Sequence, residues 1–262
     1  TDTIEQKKQG RMAYHNFIEA IGFMEATAQP RFEAAHAVYE QFARLYRSPS
    51  ASNSIVPHAP YSVSPKLFQL ITHFPGNRLL TIHNQESEAE NEFMQRGTGD
   101  FHRLYKALGM DISFYQAGGK RSLQGFMPYL SANQSVILVH NVVTDEEDLK
   151  YLEQVQKVVS FCLCPNANLQ IGNPLPDITL LQKHQAHIVL GTDSLASNKQ
   201  LSILAEMRAL KDRVPVQELL QWATINGAQA LQMDTTLGSF EGGKQPGVLV
   251  INEELTTVKR LL

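Results

Sequence analysis

Short apolar runs in this chain repeatedly stop on a polar residue suited to metal binding or proton transfer, and that recurrence restricts the folds open to it. The run 79–83 ends on His83, the run 136–140 ends on His140, and the run from Ile188 reaches Asp193 through Gly191 and Thr192. His58 follows a strand expected over 54–57, and Asn166 and Asn168 follow one over 158–163. A further strand is expected over 17–23. Helical patterns lie between them at 31–47, 65–72, 87–94, 145–155 and 178–183. Six strand–helix units in this order imply a parallel sheet with right-handed crossovers.

Two architectures satisfy that order, an open doubly wound sheet and a (β/α)8 barrel. No G-x-G-x-x-G turn follows the first strand, which weakens the dinucleotide-binding version. The polar strand ends favour the barrel, because there they converge on the single face where chemistry is done. Six strands cannot close an eight-stranded barrel, so the expectation is an incomplete one. The segment 96–122, carrying Gly, Asp and aromatics, is expected to fold over the barrel mouth. Beyond Asp193 come helices over 201–210 and 215–233, then a turn-rich tail rising into a strand that ends at Ile251. This divides the chain into a barrel part, 1–235, and a strand segment of a small accessory β-sandwich, 236–262.

Composition excludes some classes. A formal net charge of −3 argues against nucleic-acid binding, which needs a basic face. No apolar run reaches the ~20 residues that cross a bilayer. Residues 1–10 lack the apolar stretch of a secretory signal. Cys162 and Cys164 lie two apart on one strand, which suits neither a disulfide framework nor a zinc knuckle; a reduced, cytoplasmic protein is expected.

Neutral imidazole is a common ligand for zinc and iron. His83 is followed three residues on by Glu86, a carboxylate placed to move a proton, although acids are also favoured where a helix begins. Asp193 ends its strand with Ser194 and Asn198 available as caps, leaving the carboxylate for a ligand. His58 stands between Pro57 and Pro60 in a rigid turn that suits either a substrate loop or a plain strand exit. His184 and His187 span a helix end and a strand start at the opposite pole, and read as solvent-exposed or structural. His15, His36, His73 and His102 show no supporting pattern, and the cysteines read as core-facing. The acid-rich stretch 144–148 reads as a capped helix start, and Arg96 and Arg103 as solvated surface.

These motifs resemble the amidohydrolase superfamily, in its branch of cytosine, guanine and adenosine-type deaminases and related chlorohydrolases. The resemblance rests on His58 to Ser64, on His83 to Glu86, on Val139-His140, on Cys164 to Asn168, and most specifically on Gly191 to Asn198. The stretches 223–228 and 238–244 add to it, so nearly the whole chain is covered. The resemblance implies hydrolysis of a C–N bond in an aminated heterocycle, with hydrolytic dechlorination or cyclic-amide opening as the alternative. His83 and Asp193 would hold one divalent metal, Zn or Fe, that activates water. Glu86 and Asp193 would move protons, His140 would stabilise developing charge, and His58 and Asn168 would orient a small-molecule substrate. Family habit implies a homodimer.

One departure is large. The family's first strand supplies two metal ligands from a His-x-His pair, and no two histidines here are separated by one residue. The expectation is therefore an N-terminally truncated chain, entering at the family's third strand, with an incomplete metal site and little activity alone. A non-catalytic remnant is the reading from another class. The intact Glu86 and Asp193 argue against it.

Overall fold

The computed structural model describes residues 2–10, 12–45 and 51–261. It divides into two compact units, Thr1–Val136 with Lys150–Val158, and Ile137–Leu149 with Val159–Leu262.

In the first unit, β1 (Tyr14–Ala20) and β2 (Ala51–Pro57) pair in parallel from Tyr14 opposite Ala51 to Ala20 opposite Pro57. The helix Ala28–Leu45 joins them. Arg47, where the sequence pattern ends that helix, lies outside the described residues. Both strands begin three residues before their apolar runs. Their opening turns are polar but paired: Asn16 Nδ2 donates to Asn53 Oδ1 at 2.8 Å, and His15 bonds the hydroxyls of Ser52 and Ser54. Strand contact extends past β1 at Gly22, whose N–H donates to Ser62 O and whose carbonyl accepts from Ser64 N. A Cβ at Gly22 would meet Arg31 at 3.0 Å and Leu67 at 3.1 Å, so glycine permits this approach.

Ser64 caps the helix Pro65–His73, accepting from Leu67 N with Pro65 at the first helical position. That helix buries Leu67, Phe68 and Ile71. Asn77 then completes the outer edge of β2. Its side chain accepts from Ile55 N at 2.9 Å and donates to Ile55 O and Ile71 O at 2.7 Å each. Without it those buried groups lose partners worth about 1–3 kcal/mol each. The chain continues into β3 (Leu79–Asn84) and the helix Glu88–Arg96, which Gly97 closes at φ 69°.

The excursion beyond Gly97 is not loop alone. It holds the helices Phe101–Ala107 and Ser122–Phe126, and Phe23, Phe93, Tyr105 and Ile112 form a buried cluster beneath it. Tyr105 Oη donates to the carbonyl of Tyr61, fastening the excursion to the loop that follows β2. It thus packs over residues just past the C-terminal ends of β1 and β2.

β4 (Ser135–His140) opens in the first unit, where Ser135 N donates to Arg78 O, and continues into the second. The helix Glu146–Val155 follows, its first turn capped by Asp145, which accepts from Glu147 N and Asp148 N. In the second unit, β5 (Val159–Leu163) and β6 (Ile188–Leu190) pair in parallel, Phe161 opposite Ile188. A Cβ on Gly191 would lie 2.6 Å from Cys162 Sγ, so this strand exit needs glycine. The helix expected over 215–233 is two, Val216–Ala223 and Ile225–Ala230, broken at Thr224 where ψ is −90°. An exposed antiparallel hairpin, β7 (Leu249–Ile251) with β8 (Val258–Arg260), ends the unit. Among the described residues no helix is long and apolar enough to cross a membrane.

Candidate metal centre

Each unit carries its own group of the residues singled out in the sequence. In the first unit, His83 lies near the end of β3, half-buried, while Leu80 and Ile82 are buried. Its backbone N–H and its Nδ1–H both donate to the carbonyl of His58, at 2.9 and 2.8 Å. A proton held on Nδ1 leaves the lone pair on Nε2, which is how a ligating imidazole is usually oriented. Glu19 stands 3.8 Å from the same Nδ1. His58 packs its ring 4.8 Å from that of His83. The Ser62 hydroxyl donates to Ala59 O, so it accepts from His58 Nδ1–H at 2.8 Å, and the acceptor nitrogen of His58 is also Nε2.

Glu86 follows β3 by two residues, half-buried, after Gln85 in the left-handed region at φ 50°. The turn is held from behind by Glu90. One oxygen of its carboxylate accepts from Gln85 N at 2.8 Å and the other from Glu86 N at 3.1 Å. The Ser122 hydroxyl donates to the first of these oxygens. Burial pushes the Glu90 carboxyl up to about 7, against the hydrogen bonds from Ser122, Gln85 and Glu86 that pull it down.

In the second unit, His140 and Asn141 leave β4 at φ 77° and 59°, and Asp193 leaves β6 at φ 55°. Left-handed backbone at non-glycine residues costs about 1–3 kcal/mol each and gathers at functional sites. His140, 1% exposed, donates from Nδ1 to Asn168 Oδ1 at 2.9 Å, which again leaves its lone pair on Nε2. Asn168 is fixed on the short helix Pro165–Gln170, and its Nδ2 is buried with no partner among the described residues. Asp193 Oδ2 accepts from the Ser197 hydroxyl. A ring nitrogen of His140 and a carboxylate oxygen of Asp193 lie within 4.8 Å of each other.

The cap expected after Asp193 is different in detail. No helix starts at Ser194; the next, Ile203–Leu210, is capped by Ser202. Asn198 instead closes the loop, donating to Thr192 O and to Glu206 Oε1 at 2.8 Å each. The other Glu206 oxygen accepts from Asn166 N at 2.8 Å, so one fully buried carboxylate joins the loops after β5 and β6.

The remaining candidates have structural surroundings. Burial lowers His15 to about 4. His187 bonds Ser160 and Gln229, His73 and His102 bond nearby carbonyls, and Arg96 and Arg103 are exposed. The hydrogen bond with Cys162, together with burial, raises the Cys164 thiol well above its usual range, which disfavours a thiolate ligand. What the sequence pattern did not reveal is a cavity of about 770 Å³ in the first unit, lined by Phe23, Met94, Tyr115 and Phe126 and by Pro60 and Val63 from the His58 loop.

Residues 9–260 match the family model described as Amidohydrolase family. A curated relative, the 5-methylthioadenosine/S-adenosylhomocysteine deaminase of Halalkalibacterium halodurans, is 28% identical over 210 residues, covering 76% of this chain and 44% of that protein. The chain spans about half the length of the curated relatives it matches. Helicobacter pylori aminofutalosine deaminase, solved in complex with methylthio-coformycin, is similar over 98% of this chain and 66% of its own, with a TM-score of 0.82 and 23% identity. An adenosine deaminase from Xanthomonas campestris with bound Zn is similar over 89% of this chain and 51% of its own, at a TM-score of 0.64 and 23% identity. The expected architecture holds: an α/β fold of the amidohydrolase barrel type. With the family model spanning nearly its whole length, this chain belongs to the amidohydrolase family.

Proposed function

We propose that this chain carries the catalytic residues of a metal-dependent hydrolase that deaminates an aminated heterocycle of the adenosine type. The observation that carries the reading is the pairing of His140 with Asp193 within 4.8 Å, with His140 oriented by Asn168. Names of relatives support the reaction class: they include 5-methylthioadenosine/S-adenosylhomocysteine, 5'-deoxyadenosine and adenosine deaminases.

His83 and Asp193 would hold one divalent metal, Zn or Fe. Imidazole and carboxylate donors suit either ion, but these two residues supply only part of the ligand set that a catalytic zinc needs, so the site is incomplete without further donors. The tautomer set on His83 by the His58 carbonyl fits such a role. When bound, the metal would supply Lewis acidity toward a water molecule. Glu86 takes a proton from the attacking water and delivers it to a ring nitrogen, and Asp193 passes the second proton to departing ammonia. His140 stabilises the charge that develops. His58 offers Nε2 to the substrate, and the buried Asn168 Nδ2 offers a donor.

The cavity beside the His58 loop favours a substrate larger than a free base. Within this reading residues 1–235 belong to the catalytic barrel and 236–262 to the accessory sheet, a division supported by the antiparallel β7–β8 hairpin. Free thiols at Cys162 and Cys164 support a reducing, cytoplasmic setting. A homodimer completes the proposal, to be checked by sedimentation.

The test is ammonia release by the full-length protein from a panel of adenosine-type nucleosides, free aminopurines and chlorinated heterocycles. Deamination of nucleosides in preference to free bases is expected. Chloride release without ammonia would instead support the dechlorinating alternative.

A further inference from the structure

Glu90 sits where a helix-start carboxylate is ordinary, three residues after Ser87, yet Ser87 forms no side-chain cap on this helix. The carboxylate reaches back beyond the usual cap position, to the amides of Gln85 and Glu86. Those two amides flank the left-handed residue Gln85, whose dihedral angles set the direction in which Glu86 leaves β3. Removing an acceptor from these two amides, one buried and one partly buried, frees a turn that has no glycine to relax it.

The same carboxylate also reaches across to the far end of the excursion. Ser122 donates its hydroxyl to Glu90, and its N–H donates to Asn91 Oδ1 at 3.1 Å. Ser122 opens the helix Ser122–Phe126, whose residues Gly125 and Phe126 line the cavity. A single side chain, 1% exposed, therefore ties the backbone under Glu86 to the wall of the cavity.

We propose that Glu90 is a positioning residue that holds Glu86 in its proton-transfer position and keeps it in register with the cavity wall through Ser122. It touches no reacting atom and acts through the Gln85–Glu86 backbone. The inference rests on the functional reading above, in which Glu86 moves the proton.

Glu90→Gln keeps the shape of the side chain but presents an amide NH2 where one backbone N–H now finds an oxygen. Two readouts separate this proposal from the function beneath it. Amide hydrogen exchange at Gln85 and Glu86 reports the clamp whatever the reaction. In the variant it should quicken by roughly tenfold or more while exchange in β1 and β2 is unchanged. Steady-state kinetics of the full-length enzyme report positioning. There kcat should fall about 10²-fold with KM changed by less than about threefold, because a misplaced catalytic group costs rate more than binding. If Glu90→Gln fails to fold, Ser122→Ala removes one hydroxyl and leaves both amide bonds; a smaller loss of kcat, with faster exchange at the same amides, is then expected. Unchanged exchange at Gln85 and Glu86, or a full kcat with only a lower Tm, overturns the proposal. An inactive wild-type protein whose Gln85 and Glu86 amides are released by Glu90→Gln would refute the hydrolase reading and leave the clamp standing.

Discussion

Glu86→Gln lowers kcat about 10²–10⁴-fold in the full-length protein and leaves its metal content unchanged. The substitution preserves volume and the backbone bonds to Glu90, since those run through the Gln85 and Glu86 amides. It removes the ability to accept a proton from water and release it to the ring. Glu86 is half-buried two residues beyond β3, on a turn whose shape is set from behind, so the loss reports chemistry and not folding. Steady-state deamination kinetics check it, with metal analysis of the same preparation. A variant that keeps kcat within about threefold would remove Glu86 from the proton path.

His140→Ala follows with a loss of about 10²–10³ in kcat, the range for deleting one group that stabilises developing charge. His140 is almost completely buried, and its backbone adopts φ 77° at the end of β4. Asn168→Ala gives the milder version of the same defect. It leaves the imidazole in place but removes the Oδ1 that keeps the proton on Nδ1. A loss of about 10–100-fold is expected, as for other partners that orient a functional histidine. The order of the two effects is the informative part. An Asn168→Ala loss exceeding that of His140→Ala would show that Asn168 acts mainly on the substrate, through its buried Nδ2.

Much of this arrangement was legible in the residues alone, for a physical reason. A parallel strand buried on both faces reads as an apolar run, and a run that stops on His83, His140 or Asp193 marks where the core gives way to polar strand ends. The starts of β1 and β2 were hidden because their stability comes from paired polar side chains, Asn16 with Asn53 and His15 with Ser52 and Ser54, that carry no apolar signal. The break at Thr224 was hidden too, since apolar spacing runs through it and only a backbone torsion interrupts it. Within the excursion, Phe101–Ala107 is too short for a periodic pattern to distinguish it from loop.

The supporting carboxylates divide in the same way. Glu90 left a usable trace: Ser87 and Glu90 stand at capping-box spacing, which marks Glu90 as a side chain turned back toward the strand end. Glu206 left none, because it joins Asn166 to Asn198 across 40 residues of sequence in one direction and 8 in the other. The absence of a His-x-His pair was equally plain, and it is the feature that makes the metal itself the decisive quantity.

The most direct test is therefore the metal content of the full-length protein beside its His83→Ala and Asp193→Ala variants, by elemental mass spectrometry. About one zinc or iron per chain is expected in the wild type, lost from both variants while each remains folded. Wild-type protein that binds no metal, or variants that retain it in full, would contradict the assignment of His83 and Asp193 as ligands.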